Sequence, residues 1–282
     1  MKGLFNLHTH THYCDGSSAP EDYVKKAIEL GFHTLGYSGH APVPFKNHFA
    51  IKEESLKDYV EEVKRLKTKH SSDLNILLGL EIDFITGVVE DFQSFHNECD
   101  LDYCIGGIHL VANPEREGLW FIDGSKQETY DEGLNKLFDG DIKRGVKAYY
   151  DQMNRMIDTQ TFQILAHFDK IKMHNKGRYF QEDEKWYQDL LAECIELIAQ
   201  KDFVVEVNTR GIYKKRSEST FPGISALKVL KEKSVPITIN SDAHKPEELN
   251  LLLSESREML KQLGIREIWC LEKKDSWKSI SF

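Results

Sequence analysis

Three histidines at alternating positions, His8, His10 and His12, follow the apolar run Gly3-Leu4-Phe5-Asn6-Leu7. Alternate side chains of an extended segment share a face, so His8 and His10 can present two imidazoles together, with His12 in phase if the extension reaches it. Neutral imidazole is the commonest metal-ligating side chain, and two on one face make half a metal site. The remaining donors must come from elsewhere.

They recur at one kind of place. Thr34-Leu35-Gly36-Tyr37-Ser38-Gly39 ends on His40, and Ile76-Leu77-Leu78-Gly79-Leu80 runs into Glu81. Residues 103–108 end on His109 and residues 162–166 on His167; residues 203–207 lead to Asn208, and residues 235–239 to Asn240-Ser241-Asp242-Ala243-His244. A lone histidine after an apolar run is ordinary surface polarity. Repetition at so many strand ends points to cations. These donors exceed the four to six that one Zn²⁺ or Mn²⁺ takes, so more than one ion is expected, with carboxylates free to bridge. Such a site suits phosphoester hydrolysis, because it lowers the pKa of a bound water and neutralises charge on the phosphoryl group. Rival chemistries lack their motifs: there is no GxSxG elbow, no phosphate loop ending in Lys-Ser/Thr and no GxGxxG. Cys14 reads as a packed thiol beside the metal loop rather than a nucleophile.

The elements that position these residues follow from periodicity. Ser18-Ala19-Pro20-Glu21 reads as a capping box opening a helix that Gly31 stops. Further amphipathic helices are predicted over 53–69, 141–158 and 183–200. Strands apolar on both faces, alternating with helices, predict a parallel sheet with right-handed crossovers, and seven or eight units suit a TIM-like barrel whose strand ends converge on one face. A short strand, Glu267 to Leu271, is a candidate to close the set. The polar, Gly-rich stretch at about 110–140 is expected to be an elaborated βα loop over the site. No linker or repeat divides the 282 residues, so one domain over 1–282 is expected. His33, His48, His70, His96 and His174 lie away from strand ends and are expected to be exposed or locally bonded.

Composition narrows the partners. A formal charge of −9 argues against a grip on nucleic acid, and no run approaches the roughly 20 apolar residues of a membrane span. Five cysteines, widely spaced and without a CxxC pair, suit reduced thiols in a cytoplasmic protein, and no targeting segment is read before the first strand. A small-molecule phosphomonoester is the expected partner, and nothing in the sequence marks an oligomer interface.

His8-Thr9-His10, the aspartate of Cys14-Asp15-Gly16, Ser38-Gly39-His40, Gly79-Leu80-Glu81, His109, Ala166-His167-Phe168-Asp169 and Ser241-Asp242-Ala243-His244 together resemble, in order and over nearly the whole chain, the polymerase and histidinol phosphatase (PHP) superfamily. Residues 38–45 and Glu206-Val207-Asn208-Thr209-Arg210-Gly211 look more particularly like its histidinol-phosphatase branch. The resemblance implies a distorted (β/α)7 barrel and two or three divalent transition-metal ions, Zn, Mn or Fe. By motif, His8, His10, Glu81 and Asp242 would hold one ion; Glu81, His109 and His167 a second; His40, His244 and Asp15 a third, whose shell is completed by Asp15, by His12 or by water. The implied reaction is hydrolysis of L-histidinol phosphate by a metal-bound hydroxide, in histidine biosynthesis, with Glu81, Asp242 and His40 as catalytic residues. Arg210 and Lys170 are the candidates for phosphate contact. The rival readings are a PHP-type phosphoesterase for another small phosphorylated metabolite and a non-catalytic binding module; the complete ligand set argues against the latter.

Overall fold

The computed structural model describes residues 3–282. A parallel sheet of seven strands curls into a barrel: β1 (Leu4–Asn6), β2 (Phe32–His40), β3 (Asn75–Asp83), β4 (Tyr103–Gly107), then, after the intervening hairpin strands, β7 (Ile164–Leu165), β8 (Val204–Asn208) and β9 (Ile237–Asn240), adjacent in that order. Closure runs just beyond the last strand. The Ala243 amide donates to His8 O at 3.0 Å, His10 donates to Ala243 O at 2.8 Å, and Thr9 bridges Ala243 in parallel sense. The first histidines and the last aspartate are thereby stitched side by side.

Helices α1 (Pro20–Glu29), α2 (Leu56–Lys69), α3 (Phe92–Cys99), α5 (Ile142–Thr159), α6 (Lys185–Ile198), the one-turn α7 (Arg210–Tyr213), α8 (Ile224–Glu232) and α9 (Leu253–Gln262) connect successive elements around this barrel. Covered strands are apolar on both faces, and Ile76 to Leu80 of β3 are all buried. Helix α5 buries Val146, Tyr149, Met153, Met156 and Ile157, the stripe its periodicity predicts. Inside the barrel the Tyr103 ring lies where a Cβ of Gly79 would stand, 2.5 Å from Cε1, and its hydroxyl is 2.6 Å from Leu7 O. Glycine is needed at 79 for that approach.

Four expectations are corrected. The cap of α1 is Ala19, with no side-chain bond; Glu21 instead turns to Lys69 and Arg65 of α2, since proline as the first helical residue moves the boundary past Ser18. Helix α2 begins at Leu56, behind a 3₁₀ turn at Glu53–Ser55. Residues 267–271 do not close the barrel: they belong to β10 (Glu267–Lys273), which pairs antiparallel with β11 (Ser276–Ser281) as a hairpin outside the parallel sheet. Nor is 110–140 mainly loop. It folds as an antiparallel pair, β5 (Leu110–Asn113) and β6 (Arg116–Phe121), followed by α4 (Gln127–Phe138), all packed on buried Trp120, whose indole N–H donates to Tyr130 O at 2.8 Å.

Candidate metal centre

His8 and His10 stand just past β1, His40 ends β2, Glu81 lies near the end of β3, His109 and His167 follow β4 and β7 by two residues, and Asp242 and His244 follow β9. All face one end of the barrel, with Glu81 at the middle. Glu81 Oε2 lies 3.1 Å from His8 Nε2, 3.3 Å from His10 Nε2 and 3.3 Å from His40 Nδ1, while Oε1 lies 3.1 Å from His167 Nε2 and 3.5 Å from His109 Nε2. Asp242 Oδ1 is 3.4 Å from both His10 Nε2 and His244 Nδ1, and Asp15 Oδ1 is 3.1 Å from His244 Nε2. Three donor groups result: His8, His10 and Asp242; His40, Glu81 and His109; and His10, Asp15, His40 and His244. His10 and His40 each sit between two groups, where the sequence placed each in one. His12 is exposed and turned to Ser18 O at 3.4 Å, outside every group.

These contacts fit bound cations better than hydrogen bonds. His10 Nε2, His40 Nδ1 and Asp242 Oδ1 are buried with no hydrogen-bond partner, although each lies within 3.4 Å of an opposing N or O atom. Burying polar atoms so close yet unaligned is costly. Ligands about 2.0–2.1 Å from a tetrahedral ion stand about 3.3 Å from one another, which is the spacing seen here. The backbone agrees, for His167 (φ 28°) and Asp242 (φ 54°) occupy the left-handed region that side chains other than glycine rarely adopt.

Electrostatics separates the imidazoles. Burial, with His244 and His40 adding to it, holds His10 well below the ordinary histidine value; burial also lowers His40 and, with Lys170, His167. Burial acts the same way on His8 and His109, but carboxylates outweigh it: Glu206, Glu81 and Asp242 raise His8, and Asp83, Asp123 and Glu81 raise His109 to about 9. Against burial, the surrounding imidazoles hold Glu81 and Asp242 well below the usual carboxylate range, helped at Asp242 by Arg210. The cluster thus presents ionised carboxylates and, at His10, His40 and His167, imidazoles kept neutral, the forms that ligate metal, while a cation binding at His8 and His109 would displace the proton that the carboxylates favour there.

A cavity of about 470 Å³ opens onto the cluster, lined by Asp15, His40, Glu81, His109, Asp242 and His244 together with Phe45, Phe49, Phe121, Phe221, Lys170 and Arg210. Neither cation is a solvated surface charge. Lys170 is buried against Asp123 Oδ2 at 2.8 Å, and Arg210 Nη1 donates to Asp242 O at 2.8 Å. Of the histidines expected to be exposed or locally bonded, His33 bonds locally to Thr34, but His174 is buried on Gly124 O and His48 lines the cavity. Cys14 is packed as expected: Sγ is 3.6 Å from His10 Nδ1, and burial beside Asp15 pushes the thiol up to about 12.

Three carboxylates escaped the sequence reading as site residues. Glu206 accepts from His8 Nδ1 at 2.7 Å, Asp83 accepts the His109 amide at 2.8 Å and stands 3.3 Å from Nδ1, and Asp123 partners Lys170. Asp83 and Glu206 carry a usable signal, each being two residues along a strand, hence on the same face, from a residue singled out at its end: Glu81 and Asn208. Asp123 has none, because it lies in the inserted segment.

Known proteins share this architecture. A Bacillus subtilis histidinol-phosphatase is 23% identical over 84% of this chain and 92% of its own. A crystal structure from Listeria monocytogenes superposes with TM-score 0.78 at 23% identity, covering 89% of this chain and 99% of that one. A histidinol phosphate phosphatase from Lactococcus lactis, solved with Zn, L-histidinol and phosphate, superposes with TM-score 0.68 at 20% identity, covering 97% and 99%. The model of the PHP domain matches residues 6–210, the span that runs from the end of the first strand and holds His8, His10, the central glutamate and both middle histidines, and the protein belongs to the PHP domain family.

Proposed function

We propose that the protein is a metal-dependent phosphomonoesterase that hydrolyses L-histidinol phosphate to L-histidinol and phosphate. The observation that carries this reading is the single cavity on which Glu81, Asp15, Asp242 and the cluster histidines His40, His109 and His244 meet the buried Lys170, the half-buried Arg210 and four phenylalanines. His8, His10 and Asp242 would hold one divalent ion, Glu81 with His40, His109 and His167 a second, and Asp15 with His244 and the shared His10 and His40 a third. When bound, such ions make hydroxide available near neutral pH and offset phosphoryl charge.

The chain's own groups complete the chemistry. Lys170 and Arg210 place fixed positive charge where a phosphate dianion enters, and burial strengthens their pull by excluding water. Asp123 and Asp242, which line the same cavity, keep the cations charged: against burial, Asp123 first and Asp242 next hold Lys170 above the usual lysine value. The phenylalanine walls, with Phe49 and Phe121 rings 5.9 Å apart, offer a flat apolar slot for the heteroaromatic end of the substrate. Glu81, His40 and Asp242 hold the reacting end. The fixed geometry orients phosphorus without reorganisation, which is where such sites gain rate.

A panel of phosphomonoesters tests the assignment. Histidinol phosphate should be turned over with kcat/KM above about 10⁴ M⁻¹s⁻¹, the lower end of ordinary enzymes, and chelator should abolish it. A better substrate elsewhere in the panel transfers the reading to another small phosphorylated metabolite; no turnover by metal-loaded protein removes the enzyme reading.

A further inference from the structure

Glu206 is a fully buried carboxylate that belongs to none of the donor groups, yet all its contacts lead toward them. Oε1 accepts from His8 Nδ1 at 2.7 Å and from Asn240 Nδ2 at 3.0 Å. Oε2 accepts from Asn208 Nδ2 at 3.0 Å, and the same amide reaches Asp242 Oδ2 at 3.1 Å. Glu206 therefore sits one layer beneath the cluster, held on β8 by amides from β8 and β9.

We infer that Glu206 is a positioning residue for the metal centre: it fixes the proton of His8 on Nδ1 and so presents the Nε2 lone pair to the cavity. This rests on the metal-dependent reading above. A carboxylate can only accept, so the 2.7 Å contact requires the proton on Nδ1. Nε2 faces Glu81 Oε2 at 3.1 Å and Asp242 Oδ1 at 3.8 Å, so with Nδ1 committed to Glu206 it is Nε2 that a cation among these oxygens would take, in place of the proton shared with Glu81. A carboxylate behind a ligating imidazole also raises its basicity.

The amides explain why glutamate is needed. Asn208 and Asn240 both turn NH₂ groups toward Glu206, one at each oxygen. A glutamine would set its own NH₂ against one of them, and a turned Asn208 would release Asp242. His10 has no such backing, since its Nδ1 meets Cys14 Sγ at 3.6 Å and Asp15 at 3.6 Å. Of the two histidines on the first strand's extension, His8 is the one whose tautomer is set from behind.

Two measurements test the role. In ¹⁵N spectra of zinc-loaded wild-type protein, with His8 assigned by its loss in His8→Gln, Nδ1 should carry the proton and Nε2 the metal-shifted resonance; the opposite tautomer overturns the proposal. In zinc competition against a chromophoric chelator, Glu206→Gln should weaken one bound ion by about ten- to hundredfold. An affinity within about threefold of wild type, in a variant whose circular dichroism matches wild type, also overturns it. If Glu206→Gln does not fold, the wild-type spectrum decides alone. Wild-type protein that binds less than one ion sinks the metal reading itself, a result distinguishable from loss of the Glu206 role alone.

Discussion

At the scale of single residues, the centre is organised by which atoms have another task. Both oxygens of Glu81 meet imidazoles from three other strand ends and two from the first-strand extension, five histidines around one carboxylate. Replacing it with Gln puts an NH₂ where a lone pair is required. Glu81→Gln should therefore lower kcat/KM by more than about a hundredfold, beyond the range of residues that only orient a ligand. His12→Ala removes an exposed ring bonded to one backbone oxygen and should stay within about tenfold, or 1.4 kcal/mol at the transition state. Steady-state kinetics with saturating metal compares them, and equal losses would contradict the central place of Glu81. His8 and His10 were legible from alternation alone. Asp15 was legible only through the family resemblance, because a loop residue has no period to mark it.

Among elements, the barrel could be read because its strands are covered on both sides and so appear as apolar runs, each ending in a polar ligand type. Segments obeying another logic were misread. The β5–β6–α4 insertion packs on Trp120 rather than on the barrel's own pattern, and its polar outer residues resemble a loop. Yet it places Phe121 and Asp123 in the cavity wall. Its fastening to the loop that follows the neighbouring strand β7 is chemical. Arg178 grips Asp131 of α4 with two hydrogen bonds of 2.8 and 2.9 Å, and the Tyr179 hydroxyl adds a third at 2.9 Å. The Arg178 hydrogen bonds, with smaller opposition from burial, lower the Asp131 pKa. A carboxylate with a depressed folded-state pKa contributes stability above its unfolded value of about 3.9, and loses it as pH falls through the folded value. The pair is partly exposed, so Asp131→Asn should cost about 0.5–1 kcal/mol. Urea unfolding should show that gap unchanged from pH 8 to 5 and narrowing below about pH 4. A gap that persists to the lowest pH at which both proteins fold would assign the effect to shape rather than charge.

For the whole molecule, the ligands span the chain from His8 to His244, and the seam joining β1 to β9 is the seam at which the first and last of them meet. The centre therefore exists only when the barrel is closed, and ions that bind it stabilise the closed barrel over the unfolded chain. Electrostatics points the same way. Asp15, Glu81, Asp83, Asp123, Glu206 and Asp242 crowd one end of the barrel against the fixed cations Lys170 and Arg210, in a chain already carrying a formal −9. Their mutual repulsion is greatest where water is least. One ion at a free concentration a hundred times its dissociation constant stabilises by about 2.7 kcal/mol, and each kcal/mol moves the midpoint of a chain this long by about 2–4 °C. Removing two or more ions with chelator should lower the melting temperature by at least about 10 °C, and restoring zinc or manganese should raise it with the logarithm of free metal. Differential scanning fluorimetry at fixed pH and ionic strength measures this directly, and a melting temperature indifferent to chelator would mean that the carboxylates are neutralised without metal.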